Sequence, residues 1–289
     1  MRQYLRNARL VVGLGATAID LTGLRIRFEV IKNQLTSRLQ NACKVEVFNL
    51  SQSSREKIEE RGTQIELRAG YGDKLRTLFS GQLRRAFSVH ENVEWITTIY
   101  ANEEWQAIQG STVSQQWSAG TPARTVLDDL AKTFGEPADG FRVQDIGDLP
   151  SILRPLSLSG ASSEAMNGLA ETYGFTWGWV DGRLEIVGAE PEFSDSVVEI
   201  SASTGMVGSP VVTDLGIEVT TLLNPSLKVH RKIEIKSVGP GITVGLIETR
   251  ETVPTLHEGV YTIGEIESVG DTHGNDWLSK IKTFRREAA

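Results

Sequence analysis

The side chains best suited to chemistry lie near the end of the chain, in the stretch GDTHGNDW (270–277). Asp271, His273 and Asp276 fall within six residues there, and Trp277 follows directly. Two carboxylates and an imidazole at this spacing could bind a metal ion or exchange protons. The same stretch is rich in glycine, asparagine and aspartate, which favour tight turns. These residues alone therefore leave a site and a turn both open.

A second stretch resembles the first and favours the turn. Residues 81–95 read GQLRRAFSVHENVEW, and residues 264–277 read GEIESVGDTHGNDW. Gly81, Leu83, His90 and Asn92 match Gly264, Ile266, His273 and Asn275, each 183 residues further on, and Trp95 matches Trp277 after one residue of slippage. The first copy keeps the histidine but has Ser88 and Val93 in place of the acids. We therefore expect two equivalent hairpins, with the histidine in each turn and no metal in either.

Composition narrows the kinds of site further. The 289 residues include one cysteine, Cys43, and four histidines. An intrachain disulfide is excluded, and a zinc site with several histidine or cysteine ligands is disfavoured. We find no signal peptide and no apolar run long enough for a membrane span. These features predict a soluble protein assembled in a reducing cytosol, and we assign no catalytic, cofactor-binding or metal-binding residue.

The first part of the chain (1–107) has the alternating pattern of half-buried strands. Strands are predicted at 24–33, 43–50, 63–72, 76–89 and 93–104, and a short helix at 51–62. Ser53 and Glu56 could form a capping box, and Gly62 could end that helix. GLGATA (13–18) lacks the third glycine of a dinucleotide loop, so we interpret it as a hairpin turn.

The middle part (108–190) has helical periodicity. One helix is predicted after Thr121 as N-cap with Pro122 at its first position, and another in SSEAMNGLAETYG (162–174). LDDLAKTFG and MNGLAETYG match at 39 residues' spacing, which leaves open an internal repeat or two similar amphipathic helices. Asp181-Gly182 predicts a β-hairpin turn. AEPEFSDS (189–196) is interpreted as a linker.

The last part (191–289) again favours strands, and its charge differs from that of the first part. Strands are predicted at 196–202, 215–223, 226–237, 259–271 and 276–284. Residues 1–107 carry 16 basic and 12 acidic residues, residues 108–190 carry 5 and 11, and residues 191–289 carry 9 and 14. The first part is therefore net basic, and the middle and last parts are net acidic.

Two other classes of function have candidate residues. A cell-wall hydrolase needs two carboxylates facing across a cleft, for which the candidates are Glu136, Asp139, Asp145 and Asp148. A glycan-binding module could stack sugars on Trp177 and Trp179, which share one face of a strand. A solvated loop and core packing explain the same residues more simply. His230 and His257 have no acid or nucleophile arranged around them.

The stretch VEVFNLSQSSREKIEERGTQIELRAGYGDKLRTLFSGQL (45–83) resembles the baseplate hub proteins of tailed bacteriophages, which are related to the hub portion of type VI secretion spike proteins. The matching motifs are Asn49-Leu50-Ser51, Arg55, Gly62, Ala69-Gly70-Tyr71-Gly72 and Leu78-Phe79-Ser80-Gly81. The closing stretch (259–284) is similar to that family's last hairpin. The middle part matches only in kind.

The resemblance implies a mainly β fold with an α+β insert. Two tail-tube-like antiparallel β-barrels (1–107 and 191–289) would flank a middle α/β domain (108–190). Such hubs are homotrimers, so six barrels join a sixfold tail tube to a threefold spike. The implied partners are the tube or distal tail protein, a separate spike polypeptide, the tape-measure protein and baseplate wedge proteins. DNA would pass through the channel during ejection, and the protein would reside in the virion.

Overall fold

The computed structural model describes residues 5–13, 18–33, 41–58, 63–103, 105–135, 141–144, 146, 149–180, 182–188, 197–213, 216–236 and 259–284. In these ranges the chain is mainly β and antiparallel, as predicted. The N-terminal unit contains β1 (Arg6–Val12), β2 (Ile19–Asp20), β3 (Ile26–Asn33), β4 (Ala42–Phe48), α1 (Gln52–Ile58), β5 (Gln64–Tyr71), β6 (Lys74–Glu91) and β7 (Glu94–Asn102).

The middle and C-terminal units follow in the chain. The middle unit contains α2 (Trp105–Gly110), β8 (Thr112–Trp117), α3 (Ala123–Lys132), β9 (Phe141–Gln144), β10 (Leu156–Ala161), α4 (Ser162–Tyr173), β11 (Thr176–Val180) and β12 (Arg183–Val187). The C-terminal unit contains β13 (Val198–Ile200), β14 (Met206–Val212), β15 (Ile217–Leu222), β16 (Lys232–Ile235), β17 (Gly259–Asp271) and β18 (Trp277–Phe284).

The two outer units share one sheet of 13 strands. Its order is β14-β15-β18-β17-β3-β4-β7-β6-β5-β1-β2, and β16 joins β17 and β13. The units meet where β3 pairs antiparallel with the second half of β17, from Asn33 opposite Glu265 to Arg27 opposite Asp271. The family resemblance led us to expect two β-barrels. No closed barrel is found in the described residues, and the strands of both outer units belong to one sheet in which β3 is hydrogen-bonded to β17.

The two outer units repeat the same strand order. β3-β4-β7-β6-β5 in the first corresponds to β14-β15-β18-β17-β16 in the second, with every neighbouring pair antiparallel. The long strands β6 and β17 each carry an irregularity against the next strand, between Leu83 and Arg85 and between Ile263 and Glu265. The duplication inferred from sequence is therefore present in the strand topology.

The two hairpins predicted to be equivalent occupy equivalent positions in this order. Trp95 lies opposite His90 across the first hairpin, and Trp277 lies opposite Gly270 across the second. The equivalence of the histidines was wrong: His90 lies in β6, whereas His273 lies in the loop before β18. The second loop is longer than the first, and the constant spacing in the sequence concealed this insertion.

Three hydrophobic cores lie under these elements. Alternating residues of the N-terminal strands fill the first core, which also includes Leu223 and Trp277 from the C-terminal unit. The second core belongs to the middle unit and contains the apolar faces of α3 and α4. The third lies in the C-terminal unit and includes Val180 from the end of β11. Each outer core thus contains a side chain from another unit, which ties the three units together.

The middle unit follows the predicted helices and hairpin closely. Gly135 and Gly174 adopt φ of +88° and +71° after α3 and α4, as expected of helix-ending glycines. β11 and β12 form the predicted hairpin, and β9 joins β12 in parallel. Each helix follows a strand of the β8–β10 pair and precedes a strand of the second sheet. This common context accords with an internal repeat.

Three local predictions need correction. Pro122, and not Thr121, is the N-cap of α3, and the Thr121 hydroxyl donates to Ser118 instead. Helix α1 begins after Ser51, whose Oγ accepts from the Ser54 backbone N–H at 3.2 Å, so Ser53 does not cap it. The strand predicted from 226 begins at 232, because the preceding residues turn and His230 has a φ of +63°. Gly62 and the linker at 189–196 lie outside the described residues.

Candidate functional site

The carboxylate of Asp271 holds two arginines at the junction between the outer units. Its Oδ2 accepts from Arg25 Nη2 at 2.9 Å and from Arg27 Nε at 3.4 Å. Its Oδ1 accepts from Arg25 Nε at 3.3 Å and from the His273 backbone N–H at 2.9 Å. The Asp271 side chain is buried, whereas both arginines reach solvent. Because its oxygens are used in this way, Asp271 anchors the junction. We call this arrangement the arginine clasp.

The loop after Asp271 is fixed to the N-terminal unit by its backbone. The Thr272 N–H donates to Ile26 O at 3.0 Å, and the Ile26 N–H donates to Thr272 Oγ1 at 3.0 Å. Arg6 Nη1 donates to the carbonyl oxygens of Gly274 and Asn275 at 3.2 and 2.9 Å. These bonds extend the β3–β17 pairing past the end of the strand, so the loop closes the junction.

The pKa of Asp271 is strongly lowered, first because its carboxylate accepts hydrogen bonds from Arg25. Burial opposes this shift, and the backbone N–H of His273 supports it. A group held in its charged form by arginines contributes stability rather than proton transfer near neutral pH. The electrostatics therefore match a structural anchor and not a general base.

The geometry at the loop answers the question raised by its sequence. His273 and Asp276 are exposed, and His273 Nδ1 lies 3.0 Å from the Thr272 hydroxyl. Among the residues that the structure describes, no cluster of three or more acids, histidines or cysteines could hold a metal ion. Asp271 faces the arginines of the neighbouring strand. The structure confirms that the stretch is a loop between two strands.

The other sequence candidates are either buried in the core or outside the described residues. Trp177 and Trp179 are both buried in the middle core, and Trp177 Nε1 donates to Asn167 Oδ1 at 2.9 Å. They pack the core and offer no open stacking platform. The carboxylates Glu136, Asp139, Asp145 and Asp148, together with His257, lie outside the described residues. β1 and β2 pair antiparallel on either side of GLGATA, as a hairpin requires.

Two buried polar clusters that the sequence did not reveal bind the middle unit to its neighbours. In the first, Lys32 Nζ lies 3.5 Å from Glu103 Oε1. Asn41 Nδ2 donates to Glu103 Oε2 at 3.0 Å and to the Trp179 carbonyl at 2.7 Å. Because Asn41 bonds both units, this cluster fixes β11 against the N-terminal unit.

The second cluster joins the same hairpin to the C-terminal unit. Arg231 Nη2 donates to Glu185 Oε1 at 3.3 Å, and His230 Nδ1 lies 4.0 Å from Glu185 Oε2. The expectation that no acid lies beside His230 was therefore wrong. Thr176 Oγ1 lies 3.5 Å from His230 Nε2. No sequence spacing signals either cluster, because the partners are far apart in the chain. The one available hint was the presence of charged residues within apolar strand patterns.

The helices that the structure describes are all too short or too polar to span a bilayer. A comparison with curated proteins gives no match.

Solved structures share the fold over nearly the whole chain. The 43 kDa tail protein of prophage MuSo2 from Shewanella oneidensis has a TM-score of 0.63 at 12% identity, covering 97% of each chain. A tail protein from Neisseria meningitidis MC58 has a TM-score of 0.64 at 9% identity, covering 98% of this chain and 97% of its own.

A third structure comes from a secretion system. The E. coli c3393 protein, a type VI secretion component described as similar to the T4 tail proteins gp27 and gp5, has a TM-score of 0.60 at 11% identity. The match covers 91% of this chain and 74% of that protein. At these identities the likeness shows the fold alone. A family model described as baseplate hub gp41 matches residues 9–240, and the chain therefore belongs to the baseplate hub gp41 family of phage tail baseplate components.

Proposed function

We propose that the chain is a homotrimeric hub that joins a sixfold tail tube to a threefold spike. The repeated strand order of the two outer units carries this proposal. Three chains contribute six such units, so one face of the ring can match a sixfold partner and the other a threefold partner. A single unit per chain would need six chains for the same match.

The three cores support a division at 1–107, 108–190 and 191–289. Each unit fills its own core, with a few side chains exchanged at the boundaries. We propose that the outer units are tube-like barrels whose sheets close around the ring in the assembled hub. The middle unit then lies against both of them through the buried clusters of Glu103 and Glu185.

The proposed partners follow from this position in the tail. The tube or distal tail protein occupies one face and a separate spike the other, with tape-measure and wedge proteins adjoining. DNA passes through the central channel during ejection. Synthesis and assembly take place in the host cytoplasm. The likeness of the c3393 protein to tail proteins gp27 and gp5 supports a role for this fold in phage tails and in the type VI secretion system.

The trimer can be tested on the purified chain. Native mass spectrometry is expected to give the mass of three chains, and cryo-electron microscopy a ring of six β-units. A ring of six whole chains would contradict the proposal, because it would hold twelve units. A protein that stays monomeric alone and in the presence of its tail tube would also contradict it.

Charge is expected to set the order of units more than their affinity. The described part of the N-terminal unit carries thirteen basic and nine acidic residues, and that of the C-terminal unit six and seven. Many acids of the C-terminal unit are already paired, for example Glu218 with Lys280 and Glu265 with Lys282. Exposed ion pairs contribute only about 0–1 kcal/mol each.

The trimer dissociation constant should therefore rise modestly between low salt and 1 M sodium chloride, where the screening length is about 3 Å. Analytical ultracentrifugation across a salt series measures this change. An unchanged dissociation constant would show that charge does not contribute to the contacts between subunits. The charges that make the N-terminal and C-terminal units differ would then lie on surfaces outside the contacts between subunits.

A further inference from the structure

Among the open edges of the shared sheet in the described residues, two belong to strands that are equivalent to the pair joined at the internal junction. β6 pairs with β5 only as far as Gln82, and its continuation over 85–91 pairs with β7 as its one neighbouring strand in the described residues. We call residues 85–91 of β6 the hairpin edge. At the far end of the sheet, β14 pairs with β15 on one side. Within the described residues neither edge has a strand on its other side. An open edge presents unpaired N–H and C=O groups that can accept another strand.

The junction inside the chain shows how such an edge is covered. The second half of β17 pairs with β3, which is the first strand of the neighbouring unit in sheet order. β6 is equivalent to β17, and β14 is equivalent to β3. We infer that β14 of one copy pairs antiparallel with the hairpin edge of the next copy. This seam rests on the proposed trimer and states which strands form its three intersubunit contacts.

The internal junction also predicts the register. Glu29 lies opposite Val269, and Glu29 is opposite Lys44 on its other side. Val211 is the residue of β14 that corresponds to Glu29. It lies opposite Glu218, as Glu29 lies opposite Lys44. Glu218 in turn lies opposite Lys282, as Lys44 lies opposite Tyr100.

Val89 of β6 corresponds to Val269 of β17. Each lies four residues after the residue at which the pairing resumes beyond the irregularity, which is Arg85 in β6 and Glu265 in β17. The seam therefore places Val89 of one copy opposite Val211 of the next, and Ser88 opposite Val212. β14 has an irregularity between Val207 and Val211, and Val207 lies opposite Thr220 as Arg27 lies opposite Glu46. Val207 therefore corresponds to Arg27, and the seam places Glu91 opposite Val207 beyond that irregularity.

The chemistry of these positions fits a contact between copies. Val89 is 51% exposed and Val207 41% exposed. Val211 is half-buried on the same edge as Val207. β-Branched residues directly opposite each other across two strands stabilise the pairing. Covering these side chains removes apolar surface that the single chain leaves in water.

The new seam differs from the internal junction in its charges. At the internal junction Asp271 is opposite Arg27, but the corresponding positions in the seam are Glu91 and Val207. The seam therefore has no equivalent of the arginine clasp at this position. Trp277 is fully buried by the internal junction, whereas Trp95 is still 38% exposed. The chain accordingly folds with its own junction formed, and the weaker apolar seam forms on assembly.

Paired cysteines test the register directly. In Val89→Cys/Val211→Cys, the two thiols lie opposite each other across the seam, at the Cβ separation that a disulfide needs. Oxidation should give covalent dimers and trimers on a non-reducing gel. Each single variant should stay uncrosslinked, because Cys43 is buried. Val93→Cys/Val211→Cys is the matched control, since Val93 lies at the exposed turn four residues beyond the predicted partner.

A charge substitution gives an independent measurement. Val89→Lys should raise the trimer dissociation constant at least about tenfold, because a lysine on an edge opposes strand addition. Val260→Lys, at an exposed site away from both edges, should leave it unchanged. A trimer that forms no Val89–Val211 crosslink and tolerates Val89→Lys overturns the seam but keeps the proposed function. A chain that is monomeric at every concentration, with no crosslink, overturns both.

Discussion

Replacing Trp277 with alanine is expected to lower the free energy of unfolding by about 3–5 kcal/mol, the largest effect of any single substitution argued for this chain. Trp277 opens β18 in the C-terminal unit, yet its side chain is fully buried in the core of the N-terminal unit. It meets Phe28 edge to face, with ring centroids 5.5 Å apart. Gly270 lies opposite, and a Cβ there would collide with both rings. The substitution therefore leaves a cavity at the point where the two outer units join.

Two further variants separate cavity formation from other causes. Trp277→Phe keeps most of the ring and removes an indole N–H that has no hydrogen-bond partner among the described residues, so it should cost about 1–2 kcal/mol.

Trp95→Ala is the matched control in the equivalent position. Trp95 is partly exposed and has the Arg55 guanidinium 3.7 Å from its ring centroid, so its loss should cost about 1 kcal/mol. Urea unfolding followed by circular dichroism measures all three. Equal losses for Trp95→Ala and Trp277→Ala would contradict the unequal burial.

The strands were the most predictable part of this fold. Alternation of apolar and polar residues placed β3, β4, β5 and β17 to within about two residues, because a period of two directly reports a half-buried strand. That period says which face of a strand is buried but not which strand lies beside it. The β3–β17 pairing was therefore not predictable. That pairing places the strands of both outer units in one sheet.

The candidate site shows the same limit. Asp271 was identified from sequence as chemically notable, and its place beside a loop was predicted. Its partner Arg25 is 246 residues away in the chain, and nothing in the local sequence connects the two. From the sequence, the residues around Asp271 could therefore be interpreted as metal ligands, because the arginines that hold the carboxylate were not visible. Once the arginines are in place, the same carboxylate has a structural role.

The hairpin comparison shows why sequence matching misplaced a histidine. Gly81 and Gly264 aligned at the same spacing as His90 and His273, but the irregularities of β6 and β17 and the partners of the two tryptophans show that His90 corresponds to Gly270 and that the whole strand was matched out of register. The two loops also differ in length. Because the second loop is longer, no single spacing can match both the strand before the loop and the strand after it in the two repeats. Only the cross-strand partners of Trp95 and Trp277 identified the correct equivalence.

Asp271→Asn is expected to lower the free energy of unfolding by about 2–3 kcal/mol at neutral pH. The amide keeps the volume of the carboxylate but removes the charge that two arginines and one backbone N–H share. Hydrogen bonds to a charged group contribute about 1.5–3 kcal/mol, and breaking a buried pair costs more than its surface equivalent. Asp276→Asn, five residues on and exposed, is the matched control and should change stability by less than about 0.5 kcal/mol.

The pH dependence of this difference tests whether charge is its cause. The folded pKa of Asp271 lies well below its ordinary value of 3.8, so the folded state favours the ionised form. Its contribution is therefore fully present above the unfolded pKa and is lost as pH falls through the folded value. The stability gap between the wild-type chain and Asp271→Asn should stay constant from about pH 8 to pH 5 and narrow steadily below about pH 4. Urea unfolding at a series of pH values measures the gap. A gap that stays constant down to about pH 2 would assign the loss to packing, and the arginine clasp would then contribute little as an ion pair.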